Sequence, residues 1–385
     1  MNNAENSPQE EELTIDDLIA EQLDTDAPPI PASAERGAQD LSKRYGDDVN
    51  AEIAQNKRVT TEEIKAITDK REKVEEHETY GMTDEDLKKP YSTLDKTPEG
   101  MHIKSGNEQG AASFTTEKAN LAGFTDQGVN KEKNDDGMLV SGDHLTAAVT
   151  DGVGGNAHGE VASNVTLHTL AAMLDTDPEF NLKDAPTLAN GALHEYHDYN
   201  APEYAKCSTT FAAVQITPEG LAKCVHIGDA KIIMIRDGEI HYESVDDNLL
   251  ELIKANQGVD DKAALDFIYK KYSKDARPDG LVQSIGRKEQ IVSKKTDKGN
   301  VFTSKTLINP HYKEFQTQPG DVFLVMTDGL RHLDADEMRQ RVVDGLKEGK
   351  AANVILDKMR VEAKKRMEVF DREADNLSGG IIEIK

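Results

Sequence analysis

Two strongly apolar runs in this chain end on an aspartate followed by a glycine: Leu145-Thr146-Ala147-Ala148-Val149-Thr150-Asp151-Gly152 and Val322-Phe323-Leu324-Val325-Met326-Thr327-Asp328-Gly329. Such runs read as buried strands, and a carboxylate at the end of a buried strand is costly unless a cation or hydrogen-bond donors compensate it. The Asp-Gly dipeptide alone is ordinary turn chemistry; it also occurs at Asp136, Asp237, Asp279 and Asp344. What sets Asp151 and Asp328 apart is the strand in front of them. Asn134-Asp135-Asp136 and Asp375-Asn376 add two further acidic points beside apolar runs. Glycine lets a backbone carbonyl approach a hard ion, and carboxylates gathered without many histidines favour Mg²⁺ or Mn²⁺ over zinc.

Around these points the pattern is mixed. His144 to Thr150, Thr210 to Ile216, Leu221 to Ile227, Lys231 to Arg236, Asp321 to Thr327 and Gly380 to Lys385 read as strands. Thr217-Pro218-Glu219-Gly220 and Arg236-Asp237-Gly238-Glu239 are turn sequences between such runs, which argues for antiparallel hairpins. Helical spacing appears over residues 157–175, 247–256, 260–273, 335–347 and 350–370. The class is α+β, without an internal repeat.

Charge divides the chain. Of 72 acidic and 46 basic residues (net −26), 27 acidic and 13 basic fall in the first 110 positions. Residues 1–110 are expected to be a largely disordered or regulatory acidic arm, and 111–385 a folded domain. Leu13, Ile15, Leu18, Ile19 and Leu23 share one helical face, and Thr60 with Glu63 resembles a capping box, so two short helices are expected in the arm. The arm is either a docking or regulatory element or a solvating tail. The acidity argues against nucleic acid as a partner, and no run of roughly 20 apolar residues or export signal is visible. A soluble, cytoplasmic monomer is expected. Cys207 and Cys224 lack the spacing of a zinc knuckle or redox pair.

Read together, the motifs resemble the metal-dependent Ser/Thr protein phosphatases of the PPM family (type 2C), particularly its bacterial branch. Gly128-Val129-Asn130-Lys131-Glu132-Lys133-Asn134-Asp135-Asp136 is similar to the first motif, Gly-x-x-Arg-x-x-Asn-Glu-Asp, with Lys131 for Arg and Asp135 for Glu. Val149-Thr150-Asp151-Gly152-Val153-Gly154-Gly155 resembles the second. Cys207-Ser208-Thr209-Thr210 and Val225-His226-Ile227-Gly228-Asp229-Ala230-Lys231 resemble the central Gly-Ser-Thr and Val-Gly-Asp-Ser-Arg blocks. Leu281-Val282-Gln283-Ser284-Ile285-Gly286, Pro319-Gly320-Asp321 through Asp328-Gly329-Leu330, and Asp375-Asn376-Leu377-Ser378 complete the series in unbroken order over about 112–385.

The resemblance implies a four-layer α-β-β-α sandwich of two antiparallel sheets, with two Mn²⁺ or Mg²⁺ ions at one edge. Asp151 would bridge both ions, the Gly152 carbonyl would hold the first, and Asp328 and Asp375 the second. Asp135 and Asp136 would order water on the first ion, with Asn376 in support. The implied reaction is hydrolysis of phosphoserine or phosphothreonine in a protein substrate by metal-activated water. Asp136, Asp151, Asp328 and Asp375 are therefore the catalytic candidates. Neither cysteine has Arg six residues later, so the cysteine-phosphatase signature is missing. Two alternatives stay open: a pseudophosphatase acting as a binding module, and a phosphatase of non-protein phosphoesters.

Several positions depart from the family pattern. Lys131 can attract phosphate as a point charge without the bidentate fork of Arg, or it is a solvated loop lysine. Val153 replaces a histidine found in animal members. Asp246 resembles an aspartate that helps to hold a third, weaker divalent ion, or it is a plain cap or loop residue; its usual partner is replaced by His332, which suits Mg²⁺ poorly. The stretch from Arg287 to Phe315 carries Lys288, Lys294, Lys295, Lys298 and Lys305, and reads as a solvated hairpin insertion or a basic patch for an acidic partner. His194 and His197, on a helix, lack zincin spacing.

Overall fold

In chain order the strands are β1 (Met101–Lys104), β2 (Gly110–Thr115), β3 (Ala119–Asp126), β4 (Gly137–Ser141), β5 (Thr146–Thr150), β6 (Phe211–Ile216), β7 (Leu221–Ile227), β8 (Lys231–Arg236), β9 (Glu239–Glu243), β10 (Gln290–Thr296), β11 (Gly299–Lys305), β12 (His311–Gln316), β13 (Val322–Met326) and β14 (Leu377–Ile384). The helices are α1 (Gly159–Thr176), α2 (Ala185–Tyr199), α3 (Leu249–Gln257), α4 (Asp261–Lys271), α5 (Ala335–Lys347) and α6 (Ala352–Val369). The computed structural model describes residues 97–153, 158–177, 180–199, 207–271, 276–287, 290–296, 299–305, 308–369 and 375–385. The two short helices expected in the arm lie outside the described residues.

Two six-stranded sheets carry the fold, in the orders β1-β4-β5-β6-β7-β12 and β2-β3-β14-β13-β8-β9, and the pairings between these strands are antiparallel. They pack face to face through Val149, Val214, Ile232, Phe323, Val325 and Ile382. Helices α1 and α2 cover the outer face of the first sheet with Val165, Leu170, Leu193 and Tyr196; α5 and α6 cover the second with Met338, Val342, Leu356 and Met359. The four-layer α-β-β-α sandwich is therefore the observed architecture. Central strands such as β5 and β13 are buried at every position, because one face meets the other sheet and the opposite face meets helices. Their sequences are accordingly continuous apolar runs, where a half-exposed strand would alternate.

Both turns read from the sequence close hairpins. Between β6 and β7 the Gly220 amide donates to the Thr217 carbonyl at 2.9 Å. Between β8 and β9, Asp237 and Gly238 have φ of 52° and 83°, the left-handed pair of a tight hairpin turn. Sheet pairing starts ahead of the compositional boundary at 110: β1 runs antiparallel to β4, with Met101 opposite Ser141. Four residues with only Met101 and Ile103 apolar are too short a signal to separate from the acidic arm. The lysine-bearing segment forms a two-stranded β10–β11 ribbon outside both sheets.

Register brings the acidic points together. Met326 at the end of β13 lies opposite Gly379 near the start of β14, which sets Asp328 beside Asp375. Gly137 at the start of β4 lies opposite Thr150 at the end of β5, which sets Asp136 beside Asp151. The fold depends on the inter-sheet core that keeps these two pairs facing. Truncating fully buried Phe323 to alanine should cost roughly 3–5 kcal/mol, read as a lower denaturation midpoint at unchanged m-value; a loss under about 1 kcal/mol would mean that the sheets close over the gap.

Candidate metal centre

Backbone geometry fixes the loops first. Gly128 has φ of 78°, and a Cβ there would collide with the Asp375 carbonyl, so only glycine lets the first acidic loop pass the last one. The Asn376 side chain ties the same two loops: its Oδ1 accepts from the Asp135 amide at 2.9 Å, and its Nδ2 donates to the Gln127 and Lys133 carbonyls at 2.9 and 2.7 Å. Gly152 sits where a side chain would strike the backbone of Gly159 and the Asp135 carbonyl.

The Ser-Thr-Thr block has a local task. The Asp151 carbonyl accepts from Thr209 Oγ1 at 2.8 Å and from the Thr210 amide at 2.9 Å. Ser163 Oγ, in the first turns of α1, donates to the Asp135 carbonyl at 2.6 Å. Across the sandwich, Thr327 Oγ1 at the end of β13 donates to Asp136 Oδ2 at 2.7 Å, which joins the two sheets at the site.

The carboxylates are close enough to shift one another. Burial is the first cause that holds the Asp151 carboxyl well above its usual range, and Asp328, Asp136, Asp375 and Asp229 add to it. Asp136 is pushed up by burial and by Asp375 and Asp328, against the Thr327 hydrogen bond. Burial, then Asp375 and Asp229, push Asp328 up to about 7, against Arg331. Asp135 rises to about 6 through burial and a shared hydrogen bond with Glu160, whose own carboxyl that bond and Lys133 hold low against its burial.

The structure thus brings Asp135, Asp136, Asp151, Asp328 and Asp375 to one end of the sandwich. Lys131 reaches them as well: its Nζ is 2.5 Å from Asp375 Oδ1. Burial works against its charge, and Asp375, Asp151 and Asp328 outweigh that and keep it protonated. Among the described residues no group of three His, Cys, Asp or Glu side chains is already spread at ligand spacing, and the Lys131 ammonium is the counterion on Asp375. The donor set nevertheless fits hard divalent cations. It is all oxygen, and Asp328 Oδ1 and Asp135 Oδ1 are buried without a hydrogen-bond partner.

Asp246 is placed differently. It is buried, with Oδ2 3.1 Å from Arg331 Nη1 and Oδ1 3.3 Å from Lys231 Nζ. Despite burial, these two cations hold its carboxyl below the usual range. His332 lies in the short 3₁₀ turn Asp328–His332, and its carbonyl accepts from Arg366 Nη1 at 2.6 Å. Three participants were not singled out from the sequence as site residues. Asp229 stands inside the Val225–Lys231 block and Glu160 in the helix that follows the second block; Arg331 has no signal beyond its place after Asp328-Gly329-Leu330. The cysteines take no part: both are buried, and burial pushes the Cys207 thiol up to about 12.

Comparison with known proteins decides the family. The profile of the protein phosphatase 2C family matches residues 128–366, more than half of the chain. The chain belongs to the protein phosphatase 2C family. It is 30% identical to the serine/threonine protein phosphatase PstP of Mycobacterium tuberculosis over 135 residues, 34% of this chain and 26% of PstP, so the match spans about a quarter of that relative. It is 27% identical to the protein phosphatase PhpP of Streptococcus pneumoniae over 209 residues, 51% of this chain and 72% of PhpP. Two solved structures share the fold. The M. tuberculosis PstP/Ppp phosphatase superposes with a TM-score of 0.53 at 18% identity, over 70% of this chain and 99% of that one. The PstP catalytic domain in complex with two manganese ions gives 0.50 at 20% identity, over 69% and 98%. Among the described residues no helix is long and apolar enough to cross a membrane.

The raised carboxyls make a stability prediction for this phosphatase-family domain stripped of divalent ions. A carboxyl whose folded pKa is raised stabilises the fold fully below its unfolded value near 4, and loses that contribution as pH climbs to its folded value. For Asp328 that window runs from about 4 to about 7. Melting in EDTA should therefore weaken across this range, by at most about 1.4 kcal/mol per pH unit for each titrating group. Asp328→Asn should flatten the dependence; an unchanged slope would assign the titration to other groups.

Proposed function

We propose that this chain is a metal-dependent hydrolase of phosphoserine and phosphothreonine in protein substrates. The observation that carries the reading is the set of buried and half-buried aspartates at one sandwich end, with carboxyls pushed upward and buried oxygens on Asp135 and Asp328 that lack a hydrogen-bond partner. Family membership supports the reaction class, and the two manganese ions named for the PstP catalytic domain support the choice of metal.

Asp151 feels the charges of Asp136, Asp328, Asp375 and Asp229, which supports it as the residue that would serve both ions. The Gly152 carbonyl would complete the first position, Asp328 and Asp375 the second, and Asp135 and Asp136 would order water beside the first. Two Mg²⁺ or Mn²⁺ ions bound there would supply a water acidic enough to attack phosphorus at neutral pH, and positive charge for the phosphoryl oxygens. Asn376, whose Oδ1 accepts from the Asp135 amide at 2.9 Å, ties the first acidic loop to the last, and Thr327, which donates to Asp136 at 2.7 Å, ties that loop to β13, so the acidic loops would not part as charge changes. Lys131 would exchange Asp375 for a phosphoryl oxygen and hold it as a point charge. Val153 supplies no imidazole after the second Asp-Gly, so protonation of the leaving oxygen would come from water or go unassisted.

The pseudophosphatase alternative loses support, because each acidic position that the reaction needs is retained. Hydrolysis of an aryl phosphate and of a phosphothreonine peptide should require Mn²⁺ or Mg²⁺ and stop with EDTA. Asp151→Ala should lower kcat by more than about 100-fold, since even residues behind the metal ligands are worth about 10–100-fold. Equal, EDTA-insensitive rates for wild type and Asp151→Ala would defeat the reading. Turnover of small phosphoesters without any phosphopeptide would redirect it to a non-protein substrate.

Lys131→Arg gives a second, independent test. The guanidinium fork can grip two phosphoryl oxygens, so KM for the phosphopeptide should fall severalfold with kcat little changed. An unaltered KM would place Lys131 outside the phosphate site.

A further inference from the structure

The resemblance implies a third, weaker divalent ion near Asp246, and the residues present do not fit one. Both Asp246 oxygens already face cations: Oδ2 lies 3.1 Å from Arg331 Nη1, and Oδ1, which accepts no hydrogen bond, lies at ion-pair distance, 3.3 Å, from Lys231 Nζ. Asp229, the other acid at this end, has Oδ2 3.9 Å from Arg331 Nη2, and its backbone carbonyl accepts a hydrogen bond from the same nitrogen. Lys231 is shared with Glu243, whose Oε1 lies 2.9 Å away. Three carboxylates thus meet two side-chain cations. A guanidinium is never deprotonated in a protein, so this charge cannot be titrated away to admit a metal.

The placement is built by the backbone. Arg331 belongs to the 3₁₀ turn Asp328–His332, so the turn that presents Asp328 also presents the guanidinium. The opposite side is equally fixed: the Gly228 amide donates to Asp247 Oδ2 at 3.1 Å, and the Asp247 amide donates to the Gly228 carbonyl at 2.8 Å. Asp247 Oδ1 in turn meets Gln283 Nε2 at 3.1 Å and His311 Nε2 at 2.8 Å. The Gly228–Asp229 turn and Asp246 are therefore held at a set spacing with Arg331 between them. His332, which stands where the resemblance has the usual partner of Asp246, offers only imidazole.

We propose that Arg331 is the resident cation of this position: it neutralises the Asp229–Asp246 pair and excludes a third divalent ion, so the centre takes two. The proposal rests on the two-ion reading above. Arg331 acts here as a positioning residue, and ion stoichiometry reports on it separately from turnover.

Native mass spectrometry and calorimetric titration of the full chain with Mn²⁺ test it. Wild type should bind two ions, Arg331→Lys should also bind two, and Arg331→Ala should gain a third that Arg331→Ala combined with Asp229→Asn loses again. Three ions on wild type would overturn the proposal and leave the two-ion reading standing; no ions on wild type would overturn both. Folded Arg331→Ala that still binds two would also overturn it. Should Arg331→Ala fail to fold, Asp229→Asn in the wild-type background decides: two ions retained supports the proposal, and loss of one defeats it.

Discussion

Carboxylates confined at one end of a β-sandwich repel one another, and the rest of the site is organised around that repulsion. Two like charges about 4 Å apart cost on the order of 4 kcal/mol at the effective dielectric of a protein surface. Asp151 feels four acidic neighbours, Asp328, Asp136, Asp375 and Asp229, in addition to its own burial. The protein meets the problem in three ways. Burial and the neighbouring carboxylates push Asp136, Asp151 and Asp328 upward, which favours their protonated forms. Hydroxyl and amide donors such as Thr327 and the amide hydrogen-bonded to Asn376 hold the acids or their loops. Side-chain cations, Lys131 on Asp375 and Arg331 on Asp246, neutralise the rim.

Strand register makes the crowding unavoidable. Antiparallel pairing puts the end of one strand beside the start of the next, so an acid that follows β5 must meet one that precedes β4, and likewise for β13 and β14. The two pairs lie on different sheets, and the apolar interface between the sheets presses them toward each other. Hydrophobic burial, which is indifferent to charge, therefore supplies the work of gathering the acids.

Much of this was legible in the sequence because the chemistry sits at the ends of its most apolar strands. The runs before Asp151 and Asp328 mark them out, and apolar runs and spacing mark β5, β6, β7, β8, β13, β14 and five helices; β3 and β4, interior in their sheets, are not among the strands read. The edge strands were harder: β2 is Gly-Ala-Ala-Ser-Phe-Thr with alternate positions exposed, and β9 is short and polar, so neither carries a clear apolar signal. Helix α2 was seen only through the histidine pair on it. The counter-charges were invisible for a different reason. Lys131 could be placed by its motif, but that it rests on Asp375 depends on how the loop folds over Gly128. The ion pairs of Asp246 depend on Lys231 and Arg331, distant in the chain, converging on it.

The departures from the family pattern form a consistent set when read as charge. Lys131 stands for the arginine of the first motif and His332 for the usual partner of Asp246, while Arg331 lies between Asp246 and Asp229; Lys131 and Arg331 bring chain-borne positive charge, and His332 brings no carboxylate. A site with its own cations needs fewer divalent ions to become neutral, because charges fixed beside the carboxylates carry most of the Coulomb energy. The side-chain cations on Asp375 and Asp246 therefore weigh directly on what this centre binds.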